Sequence, residues 1–187
     1  MEVKKTDKRI SRTKRLLQEA FIELLTEKEV HKITIQEIAD RAEINRVTFY
    51  KHYLDVYDIY DKVKNDIFVE LGLLILQYEK LKPEEFYKEF VTYVDENRKL
   101  FEMIFSPNNS GQIRDTFYEM MEGLFRKMQT EKHEVKLSDI KYKYVSHYHA
   151  FGLISIIEKW VKDGFEQPAD FIVNIISEID KHIEVKF

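Results

Sequence analysis

The chain has 187 residues, of which 44% are hydrophobic, and it contains no cysteine. This length and hydrophobic share suffice for a buried core in one or two domains, while the lack of cysteine excludes disulfides and thiolate metal sites. No run of about 18 apolar residues occurs and the first residues are charged, so we expect a cytoplasmic protein with neither a membrane span nor a signal peptide.

The net charge of −4 is unevenly distributed along the chain. Residues 1–54 hold 12 Lys and Arg against 9 Asp and Glu, whereas residues 55–187 hold 18 against 25. Seven basic residues lie in the first fifteen positions: Lys4, Lys5, Lys8, Arg9, Arg12, Lys14 and Arg15. A basic segment attracts a polyanion such as DNA, although a charge run can also be only a solvated tail.

A first helix is predicted from about Ser11. Leu17, Ala20, Phe21 and Leu24 follow the i, i+3, i+4, i+7 spacing that places side chains on one helix face. This apolar face predicts packing against the helices that follow.

Two short helices joined by a tight turn are predicted between Thr34 and Tyr53. Thr34 and Glu37 have the spacing of a capping box at the start of the first helix. Its apolar positions recur at helical spacing: Ile35, Ile38, Ala39 and Ala42. Asn45 is a suitable N-cap for a second helix of two turns, which we expect Phe49 and Tyr53 to anchor by packing. This pattern is a helix-turn-helix, so double-stranded DNA is the first partner to consider.

The remainder of the chain shows helical patterns without a convincing strand hairpin, and the predicted fold is therefore all-α. Asp55 favours the start of a long helix from Val56 to about Leu81. Pro83 begins a helix that we expect to end before the loop at 106–111. The remaining helices are predicted from about Gln112 to Lys127, from Ser138 to Lys162, and beyond the break marked by Gly164 and Pro168.

Residues 12–60 resemble the N-terminal domain of the TetR/AcrR transcriptional regulators. The motifs that carry the resemblance are T-I-x-E-I-A-x-x-A and T-F-Y-x-H-Y, followed by an acidic and aromatic lead into a long helix. The motif N-R-x-T-F-Y-x-H-Y-x-D-x-Y-D also looks like a subgroup related to regulators of dihydroxyacetone kinase operons. The resemblance implies a helix-turn-helix DNA-binding domain over 1–54 and a helical effector-binding and dimerisation domain over 55–187.

The resemblance also implies which residues contact DNA. Tyr50 and His52 would lie on phosphates, and Arg46, Val47 and Thr48 would lie nearest the base edges. The DNA-binding residues that we expect are Thr34, Gln36, Arg46, Val47, Thr48, Tyr50, Lys51 and His52. Without the resemblance, Tyr50 could equally pack on the first helix.

The chain departs from the family pattern at two positions. Glu43 stands in the turn where many members have Gly, which leaves open whether this residue adopts a left-handed conformation. Val56 stands where many members have Lys, so we expect that the phosphate contact of this Lys is absent or is replaced by backbone amides at the helix N-terminus.

The last two predicted helices carry apolar faces that could bury within the protomer or against a second copy. The resemblance implies a four-helix bundle around a two-fold axis, and thus a homodimer that reads a near-palindromic operator. The interface residues that we expect are Phe151, Ser155, Ile172, Ile176, Ile179 and Ile183.

The middle helices are rich in aromatic residues and Met, a composition more typical of a core than of a pocket. The resemblance implies a cavity for a small molecule, and the lining residues that we expect are Phe86, Phe90, Tyr93, Phe117, Met121 and Tyr148. His147 and His149 diverge on a helix, so we expect no shared metal site and no cofactor. Motifs of phosphate loops, zinc proteases and serine hydrolases are missing from the sequence, which gives no support to an enzyme.

The favoured interpretation is an effector-responsive repressor that binds DNA as a dimer. An activator that works with a protein co-activator is one alternative. The other is an all-α ligand-binding or interaction protein whose helix-turn-helix no longer binds DNA, which only Val56 and the acidic net charge support.

Overall fold

The computed structural model describes residues 2–78, 81–108, 111–133 and 140–182. These residues form helices and no strand, which confirms the predicted all-α fold. The helices are α1 (Glu2–Glu27), α2 (Ile35–Arg41), α3 (Arg46–Phe49), α4 (Val56–Tyr78), α5 (Pro83–Glu96), α6 (Arg98–Ile104), α7 (Gln112–His133), α8 (Ile140–Lys162) and α9 (Ala169–His182). A short 3-10 turn, Val30–Lys32, follows α1. In the described part of the chain no helix is long and apolar enough to cross a membrane.

The chain divides into two compact units. The first comprises Met1–Phe68 with Ser106–Gly111, and the second comprises Val69–Phe105 with Gln112–Phe187. The division falls within α4, so this helix contributes residues to both units.

The core of the first unit is formed by α1 to α4. The predicted apolar face of α1 is buried there at Leu17, Ala20, Phe21 and Leu24. The helix begins at Glu2, earlier than the predicted start at Ser11. The Lys and Arg residues of this segment have good helix propensity, which lets α1 extend beyond its apolar face.

The second unit has an aromatic core. The Phe90 ring is stacked between Phe86 and Phe117, with centroid distances of 5.7 and 6.3 Å. These three residues are almost fully buried, and α5 packs on α9 while α7 packs on α8. Burial of such large rings is the main hydrophobic contribution to the stability of this unit.

The predicted single helix from Pro83 to the 106–111 loop is wrong, because Asn97 separates α5 from α6. Its backbone leaves the helical region at φ −118° and ψ 38°. The Asn97 side-chain amide donates to the Tyr93 carbonyl at 2.8 Å. This local hydrogen bond gives the backbone an alternative to the regular helix ladder.

The later helix ends differ from the predictions in smaller ways. Helix α7 continues to His133, past the predicted end at Lys127, and the predicted start at Ser138 lies outside the described residues. Gly164 has a φ of +68° after α8. The amides of Gly164 and Phe165 donate to the carbonyls of Val161 and Trp160, a Schellman ending that confirms the predicted helix stop.

Candidate nucleic-acid interface

The predicted capping box at the start of α2 is confirmed. The Thr34 hydroxyl accepts from the Glu37 amide at 3.3 Å, and the Glu37 carboxylate accepts from the Thr34 amide at 2.9 Å. The Lys28 ammonium also contacts this carboxylate. The Lys28 hydrogen bond and then the Thr34 hydrogen bonds lower the pKa of Glu37 to about 2. The start of α2 is therefore fixed by a group that stays ionised at neutral pH.

The turn between α2 and α3 adopts the left-handed conformation at Glu43, whose φ is +54°. The Glu43 amide donates to the Asp40 carbonyl at 3.1 Å, and the Ile44 amide donates to the Ala39 carbonyl at 2.9 Å. These bonds form a Schellman ending at a position where Gly is usual. The turn thus keeps its geometry although Glu stands in the place of Gly.

Helix α3 is anchored as predicted, but it is shorter than predicted. The Asn45 side chain accepts from the Val47 amide at 2.8 Å, which confirms the N-cap. Phe49 and Tyr53 are buried with ring centroids 5.5 Å apart. The helix has one regular turn, because the amides of Lys51 and His52 donate to carbonyls three residues back and tighten the chain into a 3-10 geometry.

The opposite face of α3 and of the turn that follows it, here called the α3 face, is exposed. Val47 is 67% exposed and Tyr50 is 50% exposed, and Arg46 and Lys51 also lie on the surface. Arg46 donates to the Tyr50 hydroxyl at 3.2 Å, with its guanidinium carbon 5.8 Å from the ring centroid. Thr48 is half-buried. An apolar side chain, a phenol and two cations thus share one solvent-facing surface.

The two expected DNA-binding residues at the start of α2 are both exposed. Thr34 also caps the helix, and the Gln36 amide donates to the Asp40 carboxylate at 2.7 Å. These hydrogen bonds within the protein restrict the orientations in which the two side chains can contact a ligand.

The N-terminus of α4 is closed by carboxylates. Asp55 accepts from the amides of Tyr57 and Asp58, each at 2.8 Å, and Asp58 accepts from the Leu54 amide at 2.8 Å. We expected that backbone amides at this helix end could replace the phosphate contact of the Lys that is missing at position 56. The amides of Leu54, Tyr57 and Asp58 already donate to carboxylates, so these three amides do not support that replacement. Two acidic groups occupy the end of the helix where a phosphate would otherwise be attracted.

His52 is half-buried in the turn that follows α3. Burial, and then the positive charges of Lys14 and Lys51, lower the pKa of His52 below its ordinary value. The Lys62 ammonium donates to the His52 carbonyl at 3.5 Å. The sequence contained no sign that the charge of Lys14 acts on His52, because the two residues are far apart in the chain.

The expected dimer residues divide into two groups. Ile172 and Ile176 are buried within the protomer, whereas Phe151, Ser155 and Ile179 are exposed. Ile183 lies outside the described residues.

A groove runs between the exposed faces of α8 and α9. It holds cavities of about 220 and 290 Å³, and Ser155 and Ile156 line both. The two cavities are therefore neighbours along the two helices.

The expected effector residues are not gathered around one cavity. Phe86, Phe90, Phe117 and Met121 are buried in the core. Tyr93 is half-buried, and its ring contacts Phe101 at a centroid distance of 6.0 Å.

Tyr148 instead lines the 220 Å³ cavity of the groove, together with Tyr87, His149 and Asp180. His149 pairs with Asp180 at 2.9 Å, and His147 pairs with Glu122 at 2.9 Å. The two histidines therefore diverge, as their spacing predicts. The sequence did not indicate the contact between His149 and Asp180 in the cavity, because the two residues come from different helices.

Comparison with known proteins identifies the family. A TetR-type model described as a transcriptional regulator C-terminal region matches residues 82–181, more than half of the chain. The uncharacterized HTH-type transcriptional regulator YxbF of Bacillus subtilis is 23% identical over 155 residues, and the match spans 79% of this chain but only 39% of YxbF. The HTH-type dhaKLM operon transcriptional activator DhaS of Lactococcus lactis is 24% identical over 169 residues, which are 88% of each chain.

Solved structures show the same fold. The dihydroxyacetone kinase operon activator DhaS superposes with a TM-score of 0.59 at 23% identity, over 90% of this chain and 96% of that chain. FadR from Bacillus subtilis, solved in complex with stearoyl-CoA, has a TM-score of 0.64 at 15% identity, over 88% of this chain and 96% of that chain. These proteins are named as regulators of transcription rather than as enzymes. With its helix-turn-helix and the matching C-terminal region, the chain belongs to the TetR family of transcriptional regulators.

Proposed function

We propose that the chain binds a palindromic operator as a homodimer and represses transcription. An effector would end repression by changing the distance between the two α3 helices, which are the recognition helices of the dimer. Residues 1–54 would bind DNA, and residues 55–187 would bind the effector and form the dimer. The observation that carries the proposal is the exposed surface of α3 and of the turn that follows it, where Arg46, Val47, Tyr50 and Lys51 lie around the anchor that buried Phe49 forms. We assign no catalytic step to this chain.

The chemistry of the α3 face suits a DNA groove. Arg46 and Lys51 supply positive charge for phosphates or guanine edges, and Val47 offers an apolar contact of the kind that thymine methyl groups accept. The Tyr50 hydroxyl can donate to a phosphate oxygen. Because Arg46 already holds the Tyr50 hydroxyl at 3.2 Å, binding would cost less side-chain freedom.

The groove between α8 and α9 supports the dimer. Exposed Phe151 and Ile179, with the neighbouring Tyr144 and Tyr148, place large apolar surface beside its two cavities. A two-fold interface must complement itself, and a patch that carries both projecting rings and cavities can do so. Two copies joined here would present two recognition helices to one operator.

The effector is proposed to be a small molecule or a protein. FadR from Bacillus subtilis is a protein of this fold that was solved in complex with stearoyl-CoA. In this chain, Phe86, Phe90 and Phe117 stack on one another, so a small molecule at the expected site would have to displace these rings. Rearrangement of the core would then be the link between effector binding and DNA release.

The relationship to DhaS favours a second candidate, an activator. DhaS is named as an operon activator, and its similarity extends over 88% of both chains. A protein co-activator would then replace the small molecule. A transcription assay on the promoter of its own gene separates the two roles, because added protein lowers transcript in one case and raises it in the other.

A mobility-shift assay with DNA that flanks its own gene tests the proposal. We expect the parent to retain this DNA and Tyr50→Ala to weaken binding by about 1 to 3 kcal/mol. Leu73→Ala, which truncates another exposed side chain, is the matched control and should bind as the parent does. A folded Tyr50→Ala protein with parental affinity would contradict the assigned contact, and a parent that retains no operator DNA would favour the interaction protein without DNA affinity.

A further inference from the structure

We propose that the 220 Å³ cavity in the second unit binds a small organic cation, an ammonium group on an apolar body, with the Asp180 carboxylate as the counter-ion. This site deepens the proposed function, on which it rests only for the claim that the bound cation is the effector. It lies apart from most of the residues expected to line an effector cavity, because those are packed into the aromatic core.

Four helices of the second unit contribute to the walls of the cavity. Tyr87 of α5 and Phe125 of α7 are buried, whereas Tyr148 of α8 is exposed. Aliphatic side chains supply further lining, namely Leu153, Ile156, Ile176 and Ile179. Since a dry cavity of about 150 Å³ can hold benzene, a cavity of 220 Å³ admits a single ring with a short chain. The apolar part of the ligand is therefore of this size.

Asp180 of α9 supplies negative charge to this apolar cavity. Its Oδ1 lies 2.9 Å from Nδ1 of His149 on α8, and the two side chains are only 24% and 14% exposed. A neutral imidazole donates a hydrogen bond to the carboxylate but does not cancel its charge. Because a charge that is largely removed from water is costly without a counter-ion, the cavity favours a ligand that carries positive charge.

A second donor holds the same carboxylate. The Tyr87 hydroxyl donates to Asp180, and burial, followed by the charge of Asp180 and this hydrogen bond, raises the pKa of Tyr87. A carboxylate offers about four acceptor positions, so two donors leave room for an ammonium group. The carboxylate is thus oriented before a ligand arrives, which lowers the entropic cost of binding.

The aromatic side chains of the cavity can also attract a cation. The His149 ring is stacked on Phe125 with a centroid distance of 5.8 Å, and it meets Tyr148 edge to face at 6.2 Å. The faces of Phe and Tyr rings attract an ammonium group within about 6 Å. The rings that accommodate the apolar body therefore favour the charged group as well.

Other classes of ligand fit this chemistry less well. Asp180 would repel an anion, and a neutral alcohol would leave the charge of the carboxylate without a counter-ion. A metal ion needs more ligands than the cavity offers, since the described part of the chain contains no group of three or more His, Cys, Asp or Glu that could hold one. An organic cation satisfies both the carboxylate and the apolar walls.

Titration calorimetry at pH 8, where an alkylammonium is charged and an ordinary histidine is mostly neutral, tests the site. The probes are 2-phenylethylamine, 2-phenylethanol and phenylacetate, which share a ring and differ in charge. We expect the amine to bind saturably, one molecule per protomer, and about tenfold more tightly than the alcohol. Phenylacetate should bind most weakly.

Asp180→Asn tests the charge without emptying the position. The Asn carbonyl can still accept a hydrogen bond, so we expect the variant to bind the alcohol as the parent does and to lose the preference for the amine. Asp170→Asn is the matched control, because Asp170 is an exposed residue of the same helix that does not line the cavity. It should keep the parental preference.

Gly152→Leu tests the location of the site. Gly152 lines the cavity, and a Cβ at this position would meet no atom of a neighbouring helix within 4 Å, so the larger side chain can enter the empty space. The variant should bind neither the amine nor the alcohol. Gly123→Leu is the control, since Gly123 has equally open space but lies on α7 outside the cavity lining. Circular dichroism verifies that each variant is folded.

The outcomes separate this site from the proposed function, because the binding measurements use no DNA. Equal binding of amine and alcohol, or an amine preference that survives in folded Asp180→Asn, would overturn the assignment of an organic cation. Parental binding in Gly152→Leu would overturn the location. Absence of saturable amine binding at millimolar concentration would overturn the site and leave the cavity to a side chain of a second copy.

A mobility-shift assay with and without the amine tests its role as effector. We expect the amine to weaken retention of the DNA that flanks the gene of this protein. Unchanged retention by a parent that binds the amine would overturn the effector role and keep the site. A parent that binds the amine but retains no operator DNA would overturn the proposed function and again keep the site.

Discussion

At the residue scale, Glu43 occupies a conformation that its side chain disfavours. A left-handed backbone costs an L-residue about 1 to 2 kcal/mol, because Cβ approaches a carbonyl oxygen. The chain nevertheless forms the turn, with the Ile44 amide 2.9 Å from the Ala39 carbonyl. Ile38 before the turn and Phe49 after it are both buried, and their burial stabilises the backbone conformation that the turn requires.

Replacement of Glu43 by Gly should therefore stabilise the protein. The relieved strain raises the free energy of unfolding, and the greater conformational entropy of Gly in the unfolded chain offsets part of this increase. The net increase should be up to about 1 kcal/mol. Urea unfolding followed by circular dichroism measures it. The matched control is Glu29→Gly, since Glu29 has a φ of −65° and gains nothing from Gly. A lower free energy of unfolding for Glu43→Gly would show that the turn is not strained.

At the element scale, α1 extends beyond the part that the core requires. From Lys8 onwards, the first residue of the helix that is buried in the core is Leu17, whereas the helix starts at Glu2. Lys8 and Arg9 are exposed on this extension. These two side chains can thus carry charge without a role in packing the core.

Removal of residues 1–9 should leave the fold intact and weaken DNA binding. The slope of log K against log salt should flatten by about 0.9 for every phosphate that the removed residues neutralise in the parent. A second variant that replaces Lys4, Lys5, Lys8 and Arg9 with Gln keeps the chain length and should give the same change. If both variants keep the parental slope, the basic segment is a passive tail.

Helix ends show how far local sequence determines an element. Thr34 with Glu37, Asn45, and Gly164 each act within a few residues, and their predicted caps are present. Asn97 acts as locally, yet the break that it makes was not predicted, because Asn at such a position can also face solvent within an unbroken helix.

At the scale of the whole molecule, the proposed dimer depends on which isoleucines remain exposed. Ile176 is 4% exposed and Ile179 is 45% exposed, although both belong to the same apolar stripe of α9. Only the second can meet another copy without rearrangement of the protomer. Substitutions at Ile179 and Ile176 therefore distinguish an effect on the proposed interface from an effect on the core of the protomer.

Ile179→Glu should split the dimer and leave the protomer folded. A charge buried across the two-fold axis without a partner costs several kcal/mol. Light scattering should show a monomer, the circular dichroism melt should stay near that of the parent, and operator binding should weaken. Ile176→Glu should instead lower the melting temperature, because it places a charge in the core of its own unit.

Two results would contradict the proposed interface. One is an Ile179→Glu protein that remains a dimer. The other is a parent that is monomeric at micromolar concentration yet binds a palindromic site normally.

The sequence by itself determined the all-α class, the helix-turn-helix and the residues that cap and anchor it. Those signals are hydrogen bonds and apolar spacings within a few turns of chain, so neighbouring residues suffice to specify them. Tertiary structure decided that His149 of α8 contacts Asp180 of α9 and that Ile179 rather than Ile176 is exposed. Such features depend on which helix covers which face, and no pattern within one helix contains that information.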